Sequence, residues 1–541
     1  MIWFILLISA IVRLWGINFA FPLRYGHIDE SVIIFYTTRF LTGDLNPNPF
    51  FDYPTLFLYL LLICYLIFFI TGFAFGKFGS MENFIAYNIS NPVPFILIGR
   101  ILTVLFSLAT IYLVYLFAKK LFDKKTGLLS ALFLSLSWQH ILNSHYATTD
   151  IAAAFFTLLS VYFVWELYTN PAPLKTSEVS TPKNNNVIRY NNNKNIVIGQ
   201  WSGIKSYIFA GLFCGLSIAT KYYGGIIFLA VIIFGRGNLK YLGISLASMI
   251  LGFFIGCPYA FIDYTGFISR FLDRFDLIIG WGKNINIMST NVLYIKTFMY
   301  GLGFFLTITT LIGIIFLIVN RNKQNIFLLT ITLILLIFFA TWRNPAGRYY
   351  LALYPFFAII SGVTIVKIKK KLSLTAVLVV FLITVLPKIV KTDVLLSQKD
   401  TRVIAREWVL KNIPAASRIL RGPFCPEFPN DKYNVTIDWH NEVKLKDFSE
   451  LQKEYDYIIT SSLYSDSKLF SDTLEKNGEI VYEAPRVENP WYLLFQDSTE
   501  RNPARRPFIH ALTGMVFWMQ DEISKDSMGE FQNPTIKIYK L

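Results

Sequence analysis

The chain of 541 residues is 54% hydrophobic and 17% aromatic, with only 16% charged residues, where a soluble globular protein carries roughly 25%. That composition excludes an ordinary soluble protein. The formal charge of +15, from 50 Lys+Arg against 35 Asp+Glu, is compatible with nucleic acid, an anionic surface or membrane topology, and the positions of the charges decide among them.

The first apolar run, Ile2 to Phe19, is longer than a signal-peptide core, holds Arg13 and lacks a small-residue cleavage site, so it reads as a retained first span. The following loop contains RYGHIDESVIIFYTTRFLTGD, in which Asp29 is expected to cap a surface helix running to about Leu41, with Gly43 just past its end. Further apolar runs place spans at residues 93–118, 127–144, 150–168, 204–220, 222–235, 239–256, 297–319, 326–342, 349–366 and 372–389, which makes about eleven by the length of a bilayer crossing. Five loops (Lys119 to Lys125, Thr169 to Gly203, Gly235 to Lys240, Asn320 to Asn325 and Lys367 to Lys371) hold 16 Lys+Arg and two acids, which assigns them to the cytoplasm. They fall on one side only if the apolar stretch Pro54 to Gly72 does not cross, so it is expected to lie along or dip into the outer face. From Lys391 to Leu541 the chain holds 20 Lys+Arg and 23 Asp+Glu and no membrane-length run. The expected architecture is therefore a polytopic α-helical membrane domain, residues 1–390, with juxtamembrane helices in its first outer loop, followed by an extracytoplasmic α/β domain, residues 391–541. In that tail, TRVIAREWVLKNIP and SDSKLFSDTLEKNG read as helices, and residues 455–462, EIVYEAPRV and TIKIYKL as strands.

The residues able to do chemistry gather on the predicted outer face. Asp29 and Glu30 are neighbours on a helix and point apart, so one carboxylate can accept a proton while the other orients a ligand. NSHYATTD returns a third acid, Asp150, expected as another N-cap, together with His145. Arg100 inside a span, Lys221 in ATKYYGG, and Arg343 and Arg348 in TWRNPAGRYYLALYP are cations at membrane depth, where charges are costly and mark function by default. Carboxylates suit a sugar hydroxyl and arginine forks suit a phosphate. The four cysteines form no CxxC pair, which argues against a disulfide framework or zinc site, and GFAFGK fails the spacing of a phosphate loop. Asn88-Ile-Ser and Asn434-Val-Thr match glycosylation acceptors.

In their order, IVRLWGINF, HIDES, FDYPTLFLYLL, IGRILTVLFSLATIYLVYLFAKKLF, HYATTD, GLFCGLSIATKYYGG and RNPAGRYYLALYP resemble the protein O-mannosyltransferase and aminoarabinose transferase group of the membrane glycosyltransferase C superfamily. The resemblance covers residues 1 to about 366. It implies an inverting transferase in the cell membrane with an extracytoplasmic site, using a polyprenyl-phosphate sugar donor and a protein, lipid or glycan acceptor. It further implies Asp29 as the base, with Glu30 and Asp150 holding substrates. Arg100, Lys221, Arg343 and Arg348 would meet the donor phosphate, and His27 of the HIDES motif would line the site. Tyr53 stands where members often have His or Lys before the proline. No cofactor is obligatory for this chemistry, although a divalent metal is compatible with the acids, and no nucleic acid is involved. The competing reading is a transporter or flippase of an anionic lipid-linked sugar, which the lack of an internal repeat disfavours.

Overall fold

The computed structural model describes the chain except residues 25, 171–191, 236–238, 281–298, 300, 342–346, 369–372, 423, 430, 439–447, 462–473, 475 and 485–534. Its helices are α1 (Ile2–Leu14), α2 (Ile28–Phe40), α3 (Leu56–Ala74), α4 (Met81–Ser90), α5 (Val93–Leu121), α6 (Lys124–Ser135), α7 (Trp138–Ser144), α8 (Thr149–Thr169), α9 (Asn192–Ile218), α10 (Ile227–Phe234), α11 (Leu239–Gly256), α12 (Tyr259–Ile262), α13 (Tyr264–Gly280), α14 (Phe304–Val319), α15 (Lys323–Ala340), α16 (Tyr354–Ile368), α17 (Leu374–Ser397), α18 (Thr401–Asn412) and α19 (Phe448–Glu454). Among the described residues, six helices are long and apolar enough to cross a membrane: α3, α5, α8, α11, α15 and the helix beginning at Leu374. Shorter apolar helices include α1, α14 and α16. Trp3, Leu7, Leu105, Ile315 and Ile383 project outward from these elements, an apolar exterior that suits lipid rather than water.

Close backbone approach sets the tightest helix pair. GLFCG at the end of α9 places Gly211 and Gly215 on α11, and a β-carbon at either would land on the carbonyl oxygen of Ser245 or Met249. Gly252 makes the reciprocal approach to Leu212. In lipid, where burying apolar surface gives helices little drive to associate, such small-residue contact is what brings helices together.

Several expected spans are not single helices, and two of them come together around Arg13. The first helix stops at Leu14 rather than continuing to Phe19; turns follow, and Gly16 adopts φ +76°. The segment 127–144 is not one helix but α6 and α7, parted at Leu136 and Ser137. A helix end leaves carbonyl oxygens without partners, and here Arg13 of α1 donates to the Ser135 carbonyl at 3.0 Å while also bonding Ser9, Ser107 (2.6 Å each) and His140 Nδ1 (3.0 Å). The broken helix and the buried arginine therefore belong together.

The path of α3 follows from its partners. Thr55, just before it, donates to the Gly256 carbonyl at 2.8 Å, and the Leu56 amide to that of Ala219 at 3.0 Å. Ten residues on, the Tyr65 hydroxyl donates to the Phe95 carbonyl at 3.0 Å, and the Phe68 ring meets Phe78, Phe84 and Phe95. Ala219 follows α9 directly, Gly256 ends α11, Phe95 lies in the first turn of α5, and Phe78 and Phe84 lie beside and within α4, all at one end of the bundle. Length and hydropathy would allow α3 to cross, but these contacts support a helix laid along that end. At the opposite end, Lys120 at the close of α5 pairs with Glu166 at the close of α8, and Lys323 at the start of α15 lies 4.5 Å from the Tyr168 ring centroid.

The tail carries a five-stranded sheet of β1 (Arg418–Arg421), β2 (Asn434–Ile437), β3 (Tyr457–Ser461), β4 (Glu479–Glu483) and β5 (Ile536–Lys540), in the order β2-β1-β3-β5-β4. β2, β1 and β3 are parallel; β5 joins β3 and β4 antiparallel. The α18 face Ala405, Val409 and Ile413 packs on Ile419, Ile459 and Ile538 of the sheet. The expected helix SDSKLFSDTLEKNG lies mostly outside the described residues; its end is present, with Gly478 bonded back to Leu474 at 2.8 Å.

Candidate active site

The three acids singled out above each meet one of the singled-out cations. Asp29 pairs with Arg348, Glu30 with Arg100, and Asp150 with Lys221. Arg343 lies outside the described residues.

Local structure places the acids. Neither aspartate is the expected N-cap: His27 and Thr148 occupy those positions, and Asp29 and Asp150 are each the second residue of their helix. There the helix dipole still favours a carboxylate, while the side chain is free to reach across the bundle. Successive helix residues diverge in direction, so Asp29 turns to the open side and Glu30 into the core.

Access to solvent differs sharply among the pairs. Glu30 and Arg100 are 0% and 1% exposed, Asp150 and Lys221 3% and 7%, Asp29 and Arg348 19% and 22%. The innermost pair is fully committed. Arg100 forks onto Glu30 through Nε at 2.8 Å and Nη2 at 2.7 Å, and its Nη1 donates to the carbonyls of Ile17 at 2.7 Å and Phe19 at 3.0 Å. Glu30 also accepts the Ala147 amide at 3.0 Å. Phe19 and Phe21 cover the guanidinium, with ring centroids at 3.8 and 4.9 Å. Both side chains are enclosed in the bundle and tie the first loop to α5 and to the turn before α8. Buried ion pairing and ligand binding leave the same trace in a sequence, an acid and a cation beside apolar segments.

The outer two pairs share a wall. The Lys221 ammonium sits 5.4 Å from the Tyr53 ring centroid and 5.2 Å from that of Tyr349, whose ring also lies 5.5 Å from the Arg348 guanidinium carbon. Tyr53 thus lies beside Lys221, and Tyr349, within the RYYLALYP segment but not anticipated, lies beside both cations. His27 is buried and stacks on Tyr146 at 4.4 Å. Burial lowers its pKa to about 4, against the upward pull of Asp29 and with a downward push from Arg348, so it is neutral at pH 7. Burial works to lower the Arg348 pKa, but Asp29 beside it prevails and the net shift is upward.

His145 does not join this group. Its Nδ1 and Nε2 lie 3.0 Å from the carbonyl oxygens of Ile141 and Trp15, which fastens the end of α7 to the end of α1. Asn88 is equally unsuited to glycosylation: it is buried within α4 and donates to Thr38 Oγ1 at 2.7 Å. Among the described residues, no three His, Cys, Asp or Glu side chains converge as a metal site.

A family model described as dolichyl-phosphate-mannose-protein mannosyltransferase matches residues 75–242. No curated protein matches the chain. Among solved structures, the oligosaccharyltransferase of Archaeoglobus fulgidus in the apo form aligns with a TM-score of 0.54 at 12% identity, over 100% of this chain and 89% of that one. ArnT of Cupriavidus metallidurans bound to undecaprenyl phosphate aligns with a TM-score of 0.52 at 10% identity, over 88% of this chain and 95% of that one. The fold is shared with these two enzymes: an apolar helical bundle followed by a smaller region that carries the sheet.

Proposed function

We propose that the chain transfers a sugar from a polyprenyl-phosphate donor to an acceptor hydroxyl with inversion, on the extracytoplasmic face of the cell membrane, with residues 391–541 as the soluble domain on that side. The observation that carries this reading is the exposure of the Asp29–Arg348 pair, the most open of the three, with Lys221, Tyr53 and Tyr349 at its flank. The family match and the fold favour a lipid-phosphate donor.

In the proposed reaction the acceptor oxygen attacks the anomeric carbon from the face opposite the phosphate. Its proton passes to an Asp29 carboxylate oxygen, the anomeric carbon–oxygen bond to phosphate breaks, and the electron pair leaves with the lipid phosphate. Arg348 and Lys221 offset the charge that grows on that phosphate, and Arg343 is assigned to the same task. Arg348 is bonded to Asp29 before the donor arrives. The donor phosphate therefore has to take Arg348 over, and in doing so it releases the base. Asp150 holds Lys221 for the phosphate, and His27, neutral and buried against Tyr146, stands two residues before Asp29. The chemistry calls for no obligatory metal; a divalent ion bridging acid and phosphate is compatible with it.

The test is label transfer from radiolabelled polyprenyl-phosphate sugars to peptide, glycan and lipid acceptors by the purified protein in lipid. Asp29→Asn is expected to abolish transfer with donor binding retained. Turnover by that variant would sink the base assignment, and lipid movement between leaflets without transfer would favour a flippase.

A further inference from the structure

The segment that leads into α2 is gripped from two sides. On the bundle side, a β-carbon added at Gly26 would stand 3.2 Å from Arg100 Nη2 and 3.1 Å from the Ala20 β-carbon, so the backbone rests directly on the buried pair. On the other side stands Arg402, two residues after Asp400 at the start of α18 and 1% exposed. Arg402 forks onto Asp400 through Nε at 2.8 Å and Nη2 at 2.6 Å, and its Nη1 donates to the Gly26 carbonyl at 3.2 Å. A second tie runs beside it: the Arg24 amide donates to Glu427 Oε1 at 2.9 Å, and Arg406 Nε to the Glu427 carbonyl at 2.8 Å. The His27 carbonyl then accepts the Ser31 amide at 3.1 Å, the first turn of the helix that carries Asp29.

We infer that Arg402 is a positioning residue, through which the C-terminal domain fixes the loop that presents Asp29. A buried ion pair is an inefficient source of stability, since apolar residues of similar volume often serve as well. What a guanidinium adds is a planar fork with fixed bond directions. Asp400 orients that fork and leaves one nitrogen aimed at the backbone two residues before the helix. Tyr146, on which His27 stacks, packs in the same cluster as Leu396 near the end of α17, so the helix leading into the tail supports the loop from below as well. This inference rests on Asp29 being the base.

The experiment uses the full chain in lipid, with the polyprenyl-phosphate sugar that the wild type transfers, and compares Arg402→Lys, Arg402→Gln and Asp400→Asn. Folded fraction is measured by size exclusion and thermal unfolding, and kcat is expressed per folded enzyme. The expected result is a kcat lowered by about 10- to 100-fold, the scale of an ångström-level misplacement, with KM for the donor nearly unchanged. Arg402→Lys should fall between wild type and Arg402→Gln, because it keeps the charge and loses the fork. Where Arg402→Gln does not fold, Asp400→Asn decides, since it leaves the arginine present but unoriented. Unchanged kcat per folded enzyme in Asp400→Asn and Arg402→Lys would overturn the inference, as would an equal rise in KM and fall in kcat. An Asp29→Asn variant in the same assay separates the two ideas: its turnover tests the base, whatever the Arg402 variants do.

Discussion

Replacing Arg100 by Met tests whether the innermost pair is scaffold or machinery. The substitution leaves Glu30 buried with the Ala147 amide as its remaining donor in this set, and it strips partners from the carbonyls of Ile17 and Phe19. Breaking a buried ion pair by removing one partner costs about 3–5 kcal/mol, and each stranded carbonyl adds on the order of 1 kcal/mol. Glu30→Gln keeps the shape and loses the charge, and should be destabilising by a smaller amount. The double variant Glu30→Leu/Arg100→Met removes both charges and should recover much of the single-variant loss. Unfolding in mixed micelles of rising sodium dodecyl sulfate content, alongside transfer activity per folded enzyme, reads both quantities. If the single variants unfold like the wild type yet lose transfer, Glu30 and Arg100 act on substrate and the scaffold reading is wrong. A double variant less stable than either single would refute the pair energetics.

Acid should loosen the fold through His27. Its folded pKa of about 4 lies below the ordinary 6.5, so the unfolded chain takes up the proton first as pH falls. Stability is fully present above about pH 6.5 and is lost down to about pH 4, by on the order of 3 kcal/mol for this one group. His27→Gln should flatten the acid limb over that interval in an unfolding series; curves that stay parallel would remove His27 from the account. At the α9–α11 contact, Gly215→Ala sets a methyl group against the Met249 carbonyl and should cost about 1–3 kcal/mol by forcing the helices apart. The same change at Gly243, which meets nothing within 4 Å, is the control and should be close to neutral.

The charged residues of the site were legible in the sequence because charge beside a membrane-length apolar run is rare enough to stand out. Their pairing was not, since Asp29 and Arg348 lie 319 positions apart and only the bundle brings them together. Glu30 and Arg100 carried the same signal as Asp29 and Arg348, and only burial distinguishes the two pairs. The break between α6 and α7 falls in LLSALFLSLSWQHILNS, an apolar run without Gly or Pro to announce it. For α3 the alternation of basic loops and the hydropathy point to different paths, since hydropathy by itself permits a crossing. In the tail, β1 and β2 span four residues each, too short for a period-2 pattern to emerge. Arg402 gave no signal, because its meaning depends on a backbone carbonyl 376 positions earlier.

Among the described residues, the pairing of three acids with three cations bears on how the proposed lipid-linked donor is captured. Taken together the three pairs carry no net charge, so they exert little field at distances beyond a Debye length, which is about 8 Å at physiological ionic strength. An anionic headgroup is then not drawn in through solution. In the proposed reaction it is delivered by diffusion of its lipid tail in the plane of the bilayer, and recognition begins when its phosphate takes Arg348 over from Asp29. Capture of this kind should depend steeply on the length and density of the lipid in the membrane and only weakly on salt.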